Sequence, residues 1–136
     1  MEDCLFCKIA HGSVPAYTVY SDDHVLAFLD IAPRAPGHTK VIPRVHAEDL
    51  AALPPGEIEP VFLAVQKVLR QLMASLNPAG VTIGVNQGSI SGQTVPHLHI
   101  HLIPRFEGDG GGSVHSVVNN PPVEDLETMR QKIAFK

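Results

Sequence analysis

Residues 97–103 read His-Leu-His-Ile-His-Leu-Ile. Side chains on a β-strand alternate faces, so His97, His99 and His101 would line one side while Leu98, Ile100 and Leu102 enter a core. The three imidazoles then follow one another at steps of about 6.6–6.8 Å. A neutral imidazole offers a lone pair that can attack an electrophile or bind a metal, and a protonated ring offers two donors to an anion. Two chemistries suit such an array: a metal site, or nitrogen attack on phosphorus with neighbouring rings holding its oxygens. An ordinary polar strand face would mix Thr, Lys, Ser and Glu at these positions, which makes a chance run of histidines a poor explanation. At the other end of the chain, Cys4 and Cys7 stand as Cys-x-x-Cys. In a reducing compartment this pair suits metal binding or redox chemistry better than a structural disulfide. The redox reading is the weaker, because no strand of a thioredoxin-like unit precedes the motif.

These residues need a scaffold, and 136 residues, 44% of them hydrophobic, suffice for one domain with one core. Ten Lys+Arg against fourteen Asp+Glu give a formal net charge of -4. That balance argues against a general binder of nucleic acid or anionic membrane, whereas a small phosphorylated ligand needs only a few local donors. No apolar run approaches the roughly 20 residues of a membrane span. The opening Met-Glu-Asp-Cys has no basic segment followed by a long apolar one, so no secretory leader is expected and the expected compartment is the cytoplasm.

The pattern predicts a short helical turn at 3–10. A hairpin of strands 17–20 and 24–30 follows around Ser21-Asp22-Asp23, then a third strand at 38–43. Residues 47–53 are expected to form a short amphipathic helix. Ile58, Val61, Phe62, Val65, Val68, Leu69, Leu72 and Leu76 make one apolar stripe on a long helix over about 57–76, with Pro60 in its first turn. A fourth strand at 81–86, a loop at 87–94 and a fifth strand at 95–103 complete the sheet. Gly108 and Gly110-Gly111-Gly112 make 107–113 a flexible loop, with no phosphate-loop Lys-Ser/Thr after it. A closing helix is expected at 123–135. The sum is one α+β domain over 1–136: a mainly antiparallel sheet of about five strands, one long helix and short terminal helices.

The stretch Gly92-Gln93-Thr94-Val95-Pro96-His97-Leu98-His99-Ile100-His101-Leu102-Ile103-Pro104-Arg105 closely resembles the histidine triad (HIT) signature, His-φ-His-φ-His-φ-φ with φ apolar. Residues 24–31, ending in Asp30-Ile31, and 36–43, containing Gly37-His38, resemble the family's earlier strands. Cys4-x-x-Cys7-Lys8-Ile9 is similar to the start of its bacterial members. The resemblance spans about residues 3–105.

It implies a HIT-like homodimer of the Hint-like branch. The implied activity is a nucleotide-binding hydrolase that cleaves purine nucleoside phosphoramidates or related adenylates. A nucleoside monophosphate would be released through a covalent nucleotidyl-histidine intermediate. In that reading His99 is the nucleophile and His101 donates to phosphate oxygens and the leaving amine. The carbonyl of His97 orients His99, and His38 is a fourth active-site histidine. Asp30 would accept from ribose hydroxyls, a task open to a carboxylate with no other partner evident in the sequence. Ile31 would contact the base, and Phe28 fill the core. Asn86, Gln93 and Thr94 would hold phosphate and leaving group, with Gly92 admitting a close backbone approach. Cys4, Cys7, His46 and His97 would bind a structural zinc ion, His97 serving the metal through its ring and His99 through its carbonyl. Thr94 replaces the Ser of many Hint members, and the chain has no Trp, which leaves the leaving group open. Gln93-Thr94-Val95 and Pro104-Arg105 also resemble the Fhit-like branch, hydrolases of dinucleoside polyphosphates. A nucleotide-binding regulatory module with little turnover is a third reading. The expected partners are a purine nucleotide and a second copy of the chain, with neither nucleic acid nor membrane.

Overall fold

The computed structural model describes residues 3–136. Helix α1 (Leu5–Ala10) leads into strands β1 (Thr18–Ser21), β2 (Val25–Leu29) and β3 (Thr39–Pro43). The long helix α2 (Pro55–Leu76), β4 (Gly80–Gly84), β5 (Ile100–Arg105) and α3 (Leu126–Ile133) follow. The sheet order is β1-β2-β3-β5-β4 and every pair is antiparallel, which is the expected α+β architecture. No helix among the described residues is long and apolar enough to cross a membrane.

The sheet buries both faces. On one, Val61, Ala64, Val65 and Val68 of α2 pack on Val25, Ala27, Val41, Leu98, Ile100 and Leu102. Their three- and four-residue spacing on the helix meets the two-residue period of the strands. On the other, Phe6, Cys7 and Ala10 of α1 cover Leu26, Phe28 and Ile42. Phe28 is 3% exposed and therefore fills this second core, as expected.

Several stretches depart from the sequence prediction in bounds or detail. Residues 47–53 form turns rather than a helix. The Asp49 carboxylate captures the Ala52 N–H at 3.0 Å, and the Ala47 carbonyl accepts from Leu98 N–H at 2.7 Å, so backbone groups that a helix needs are used elsewhere. The latter bond also removes Leu98 from the ladder, which is why β5 starts at Ile100 and not at 95. Side-chain alternation nonetheless persists through 97–102. α2 starts at Pro55, so Pro60 falls in the second turn, where its missing N–H leaves an exposed carbonyl to water. α3 is shorter than 123–135, because Asp125 caps it through the Thr128 N–H at 2.7 Å and its chain turns extended at Ala134. The glycine-rich stretch 107–113 folds around Arg105, whose guanidinium grips Asp109 at 2.8 and 3.0 Å.

Candidate active site and metal centre

The triad histidines leave the sheet on the α1 face, at the start of β5. His99 Nδ1 lies 2.8 Å from the His97 carbonyl, which can only accept. The ring proton is therefore on Nδ1, and Nε2 keeps its lone pair. A similar deduction fixes the next two rings. The Arg34 N–H donates to His38 Nδ1 at 3.1 Å, so neutral His38 carries its proton on Nε2. That nitrogen stands 2.9 Å from His101 Nδ1, which accepts, leaving the His101 proton on Nε2. The site thus presents a bare nitrogen on His99 beside an N–H on His101, with ring centroids 5.1 Å apart.

Electrostatics keep these rings neutral. Burial lowers the pKa of His99, and the charge on Lys40 adds to it against the opposing His97 carbonyl bond. His38 and His97 are lowered by burial too. Burial, then the neighbouring His99 and His38, push His101 down to about 4. Asp30 is not the free carboxylate that its sequence context suggests. Its Oδ1 accepts the Ala32 N–H at 2.8 Å, and its Oδ2 lies 3.5 Å from His38 Nε2 and 3.7 Å from Lys40 Nζ. Burial raises its pKa, but the Ala32 bond and the Lys40 charge outweigh that and hold it below the usual carboxylate range.

Ile31, which follows Asp30 in the chain, is 84% exposed. Asn86 and Thr94 are exposed, and Gly92 adopts φ +108, a region that favours glycine; a Cβ there would come within 3.3 Å of Asn86 Nδ2. Gln93 is turned inward: Oε1 accepts the Gly88 N–H at 2.9 Å, and Nε2 donates to the carbonyls of Glu48 (2.7 Å) and Val95 (3.1 Å). Its amide shapes the loop that carries Thr94.

A second cluster lies behind the triad. Ligand atoms of Cys4, Cys7, His46 and His97 all fall within 4.8 Å of one another. His97 Nε2 donates to the Pro43 carbonyl at 2.9 Å, so its bare Nδ1 faces the sulfurs of Cys4 (3.3 Å) and Cys7 (3.5 Å). His46 Nδ1 lies 3.3 Å from the Cys7 sulfur. In this arrangement burial and the adjacent Cys4 push the Cys7 thiol up to about 11. Two buried sulfurs and two imidazole nitrogens converging on one point, with the His97 tautomer fixed by a backbone carbonyl, form the donor set of a tetrahedral zinc site.

Asp30, His38 and His101 also group within 4.8 Å and carry the two-histidine, one-carboxylate composition of another metal site. Here the fit fails. The Arg34 N–H occupies His38 Nδ1 and forces a proton onto the nitrogen that would bind, while the Lys40 ammonium, 3.7 Å from Asp30 Oδ2, would repel a cation there.

Two residues that the sequence reading passed over help to build the site. Arg44 joins the end of α1 to the β1–β2 hairpin by donating to the carbonyls of Ala10 and Asp22 at 2.7 Å each and to Ser21 Oγ at 2.6 Å. Lys40 pairs across the sheet with His101 and points to the triad face. A charged residue in the otherwise uncharged Thr39–Pro43 strand was its available signal.

An antiparallel α+β domain with a histidine array on one strand end and a Cys/His cluster behind it defines a class of protein that the comparisons make specific. The family model for the HIT domain matches residues 11–108, and the chain belongs to the HIT family. A crystal structure of a HIT family protein from Bacillus anthracis superimposes with a TM-score of 0.85 at 42% identity, covering 98% of this chain and 96% of that one. A Zn-bound histidine triad family protein from Mycobacterium smegmatis superimposes with a TM-score of 0.74 at 34% identity, over 95% and 89% of the two chains. Adenylylsulfatase HINT3 of Arabidopsis thaliana is 36% identical over 107 residues, which cover 79% of this chain and 54% of that protein.

Proposed function

We propose that the protein is a nucleotide-binding hydrolase that cleaves purine nucleoside phosphoramidates or related adenylates through a nucleotidyl group on His99. One observation carries this reading: the His97 carbonyl holds the proton of His99 on Nδ1 and so leaves Nε2 bare at neutral pH. Nε2 attacks the α-phosphorus, the bond from phosphorus to the leaving nitrogen or oxygen breaks, and water then displaces the nucleotide from His99 as the monophosphate. His101 faces the reacting group with its Nε2–H and donates to the phosphoryl oxygens. Expulsion of an amine needs a proton. The negative charge of a bound phosphate raises the pKa of His101 and lets it take that part. His38 fixes the His101 ring, Asp30 receives the ribose hydroxyls, and Ile31 covers the base. Asn86 and Thr94 contact phosphate and leaving group from the loop that Gly92 and Gln93 shape. The activity named for the plant relative, on an adenylyl sulfate, is of the same bond-breaking type.

Cys4, Cys7, His46 and His97 hold a zinc ion in this reading. With all four positions filled by protein, zinc supplies cross-linking rather than a reactive water. It ties α1 to the start of β5 and so steadies the His97 carbonyl against His99. The two free, buried thiols suit a reducing cytoplasm. A homodimer would cover Phe62 on the outer side of α2, 43% exposed, together with Leu69 and the β4 sheet edge.

Parallel incubation with an adenosine phosphoramidate and a diadenosine polyphosphate tests the substrate class. AMP release from the first alone is expected. Release from the second in preference would assign a dinucleoside polyphosphate hydrolase, and release from neither a binding module.

A further inference from the structure

Two cations stand close together on β3 and just after it, and they are used in opposite ways. Arg44 spends its guanidinium on three protein acceptors at 2.6–2.7 Å. The Lys40 ammonium makes no hydrogen bond among the described residues; its nearest anion, Asp30 Oδ2, is 3.7 Å away. Its side chain is nevertheless only 13% exposed. The ammonium hangs over the rings of Phe6, at 4.9 Å, and Phe28, at 5.3 Å from the centroids. An ammonium on a largely buried stem, with aromatic faces and one carboxylate 3.7 Å away as its neighbours, has its three N–H donors free for a ligand. Such a group is built for a ligand acceptor.

The ligand part follows from the neighbours, given the reading proposed above. The phosphate belongs to His99 and His101, and the ribose to Asp30. Lys40 touches neither ring of that pair through a hydrogen bond but stands directly beside Asp30, within reach of what the ribose carries. It is a donor only. Guanine and hypoxanthine offer two adjacent acceptors, O6 and N7, whereas adenine places an amino donor at C6 and opposes an ammonium there. We infer that Lys40 is a base-selecting residue, and that this site prefers 6-oxopurine nucleotides to adenine nucleotides. The inference rests on the nucleotide-hydrolase reading and narrows its substrate.

Calorimetric titration of the full-length, zinc-loaded protein with GMP, IMP and AMP tests it without recourse to turnover. The wild type is expected to bind GMP and IMP at least about fivefold more tightly than AMP. In Lys40→Met that ratio falls to near one, and in Lys40→Arg, which keeps a donor, it is retained. A wild-type ratio near one overturns the inference even if the variants fail to fold. Equal losses for all three nucleotides in Lys40→Met overturn it as well, and would move Lys40 to the phosphate or ribose. Binding of none of the three by the wild type would overturn the nucleotide reading itself, whereas binding without preference defeats only the role of Lys40.

Discussion

The Cys4/Cys7/His46/His97 cluster and the Asp30/His38/His101 cluster lie on the same face of the same sheet, and each contains two imidazoles, joined by two sulfurs in the first and by a carboxylate in the second. What separates them is where the backbone sends or takes one proton. At His97 a carbonyl, that of Pro43, accepts from Nε2–H, which leaves Nδ1 bare toward two thiols. At His38 an amide, that of Arg34, occupies Nδ1 and obliges Nε2 to carry the proton toward His101. The first cluster has the donor set of a metal cage, and the second is a hydrogen-bonded relay. Ligand identity alone does not define a metal site; the second partner of each imidazole does. His99 stands between the clusters, served by one through the His97 carbonyl and by the other through the His101 ring, with Phe6 edge-on to it at 5.0 Å.

The largest effect should come from His99, on which both clusters converge. His99→Ala is expected to lower kcat by at least ~10³-fold while nucleotide affinity changes far less, because binding contacts come from other residues. Near-native turnover in this variant would remove covalent catalysis and with it the reason for the two-cluster arrangement. Trapping a nucleotidyl adduct on His99 in the wild type is the matching positive result.

Next in size is the removal of the cage. The double variant Cys4→Ser, Cys7→Ser should fall from about one zinc per chain to none by metal analysis and melt at least ~5 °C lower, yet keep measurable activity. Zinc retained in full would place the metal on Asp30, His38 and His101 and erase the distinction between the clusters.

The smallest effect is a pH dependence that sharpens the contrast from the relay side. Burial holds His38 and His101 below their ordinary 6.5, His101 at about 4 with the help of His99 and His38, and Lys40 adds to both against Asp30. Between pH 6.5 and 4 the unfolded chain therefore binds more protons than the folded one, so stability is complete above 6.5 and declines as the pH falls through that window. Thermal melts of the Cys4→Ser, Cys7→Ser variant from pH 7 to 4 isolate the relay from acid release of zinc. A flat melting temperature across that range would show that these rings are not buried neutral.

Much of the site was legible in the chain itself. The two-residue period of 97–103 assigns the three imidazoles to one side and Leu98, Ile100 and Leu102 to the core, and it does so even though regular pairing begins only at Ile100. Periodicity survives because burial of alternate apolar residues sets the side-chain direction, with or without a ladder. The α2 stripe, the five strands and the Cys-x-x-Cys likewise follow from local spacing. Residues 47–53 did not, because their pattern fits a helix in isolation while the competing acceptor of the Leu98 N–H, the Ala47 carbonyl, is reached only when distant segments meet.

What the sequence determined by itself is the inventory and its faces: which residues are donors, which alternate, and which helix covers the sheet. Tertiary structure alone decided the tautomers, the partners of Asp30, the inward turn of Gln93 and the placement of Lys40 over Phe6 and Phe28. The physical reason is range. Side-chain periodicity is written over a few residues, whereas a proton's position on an imidazole depends on a carbonyl or amide within about 3 Å that the fold brings from far along the chain.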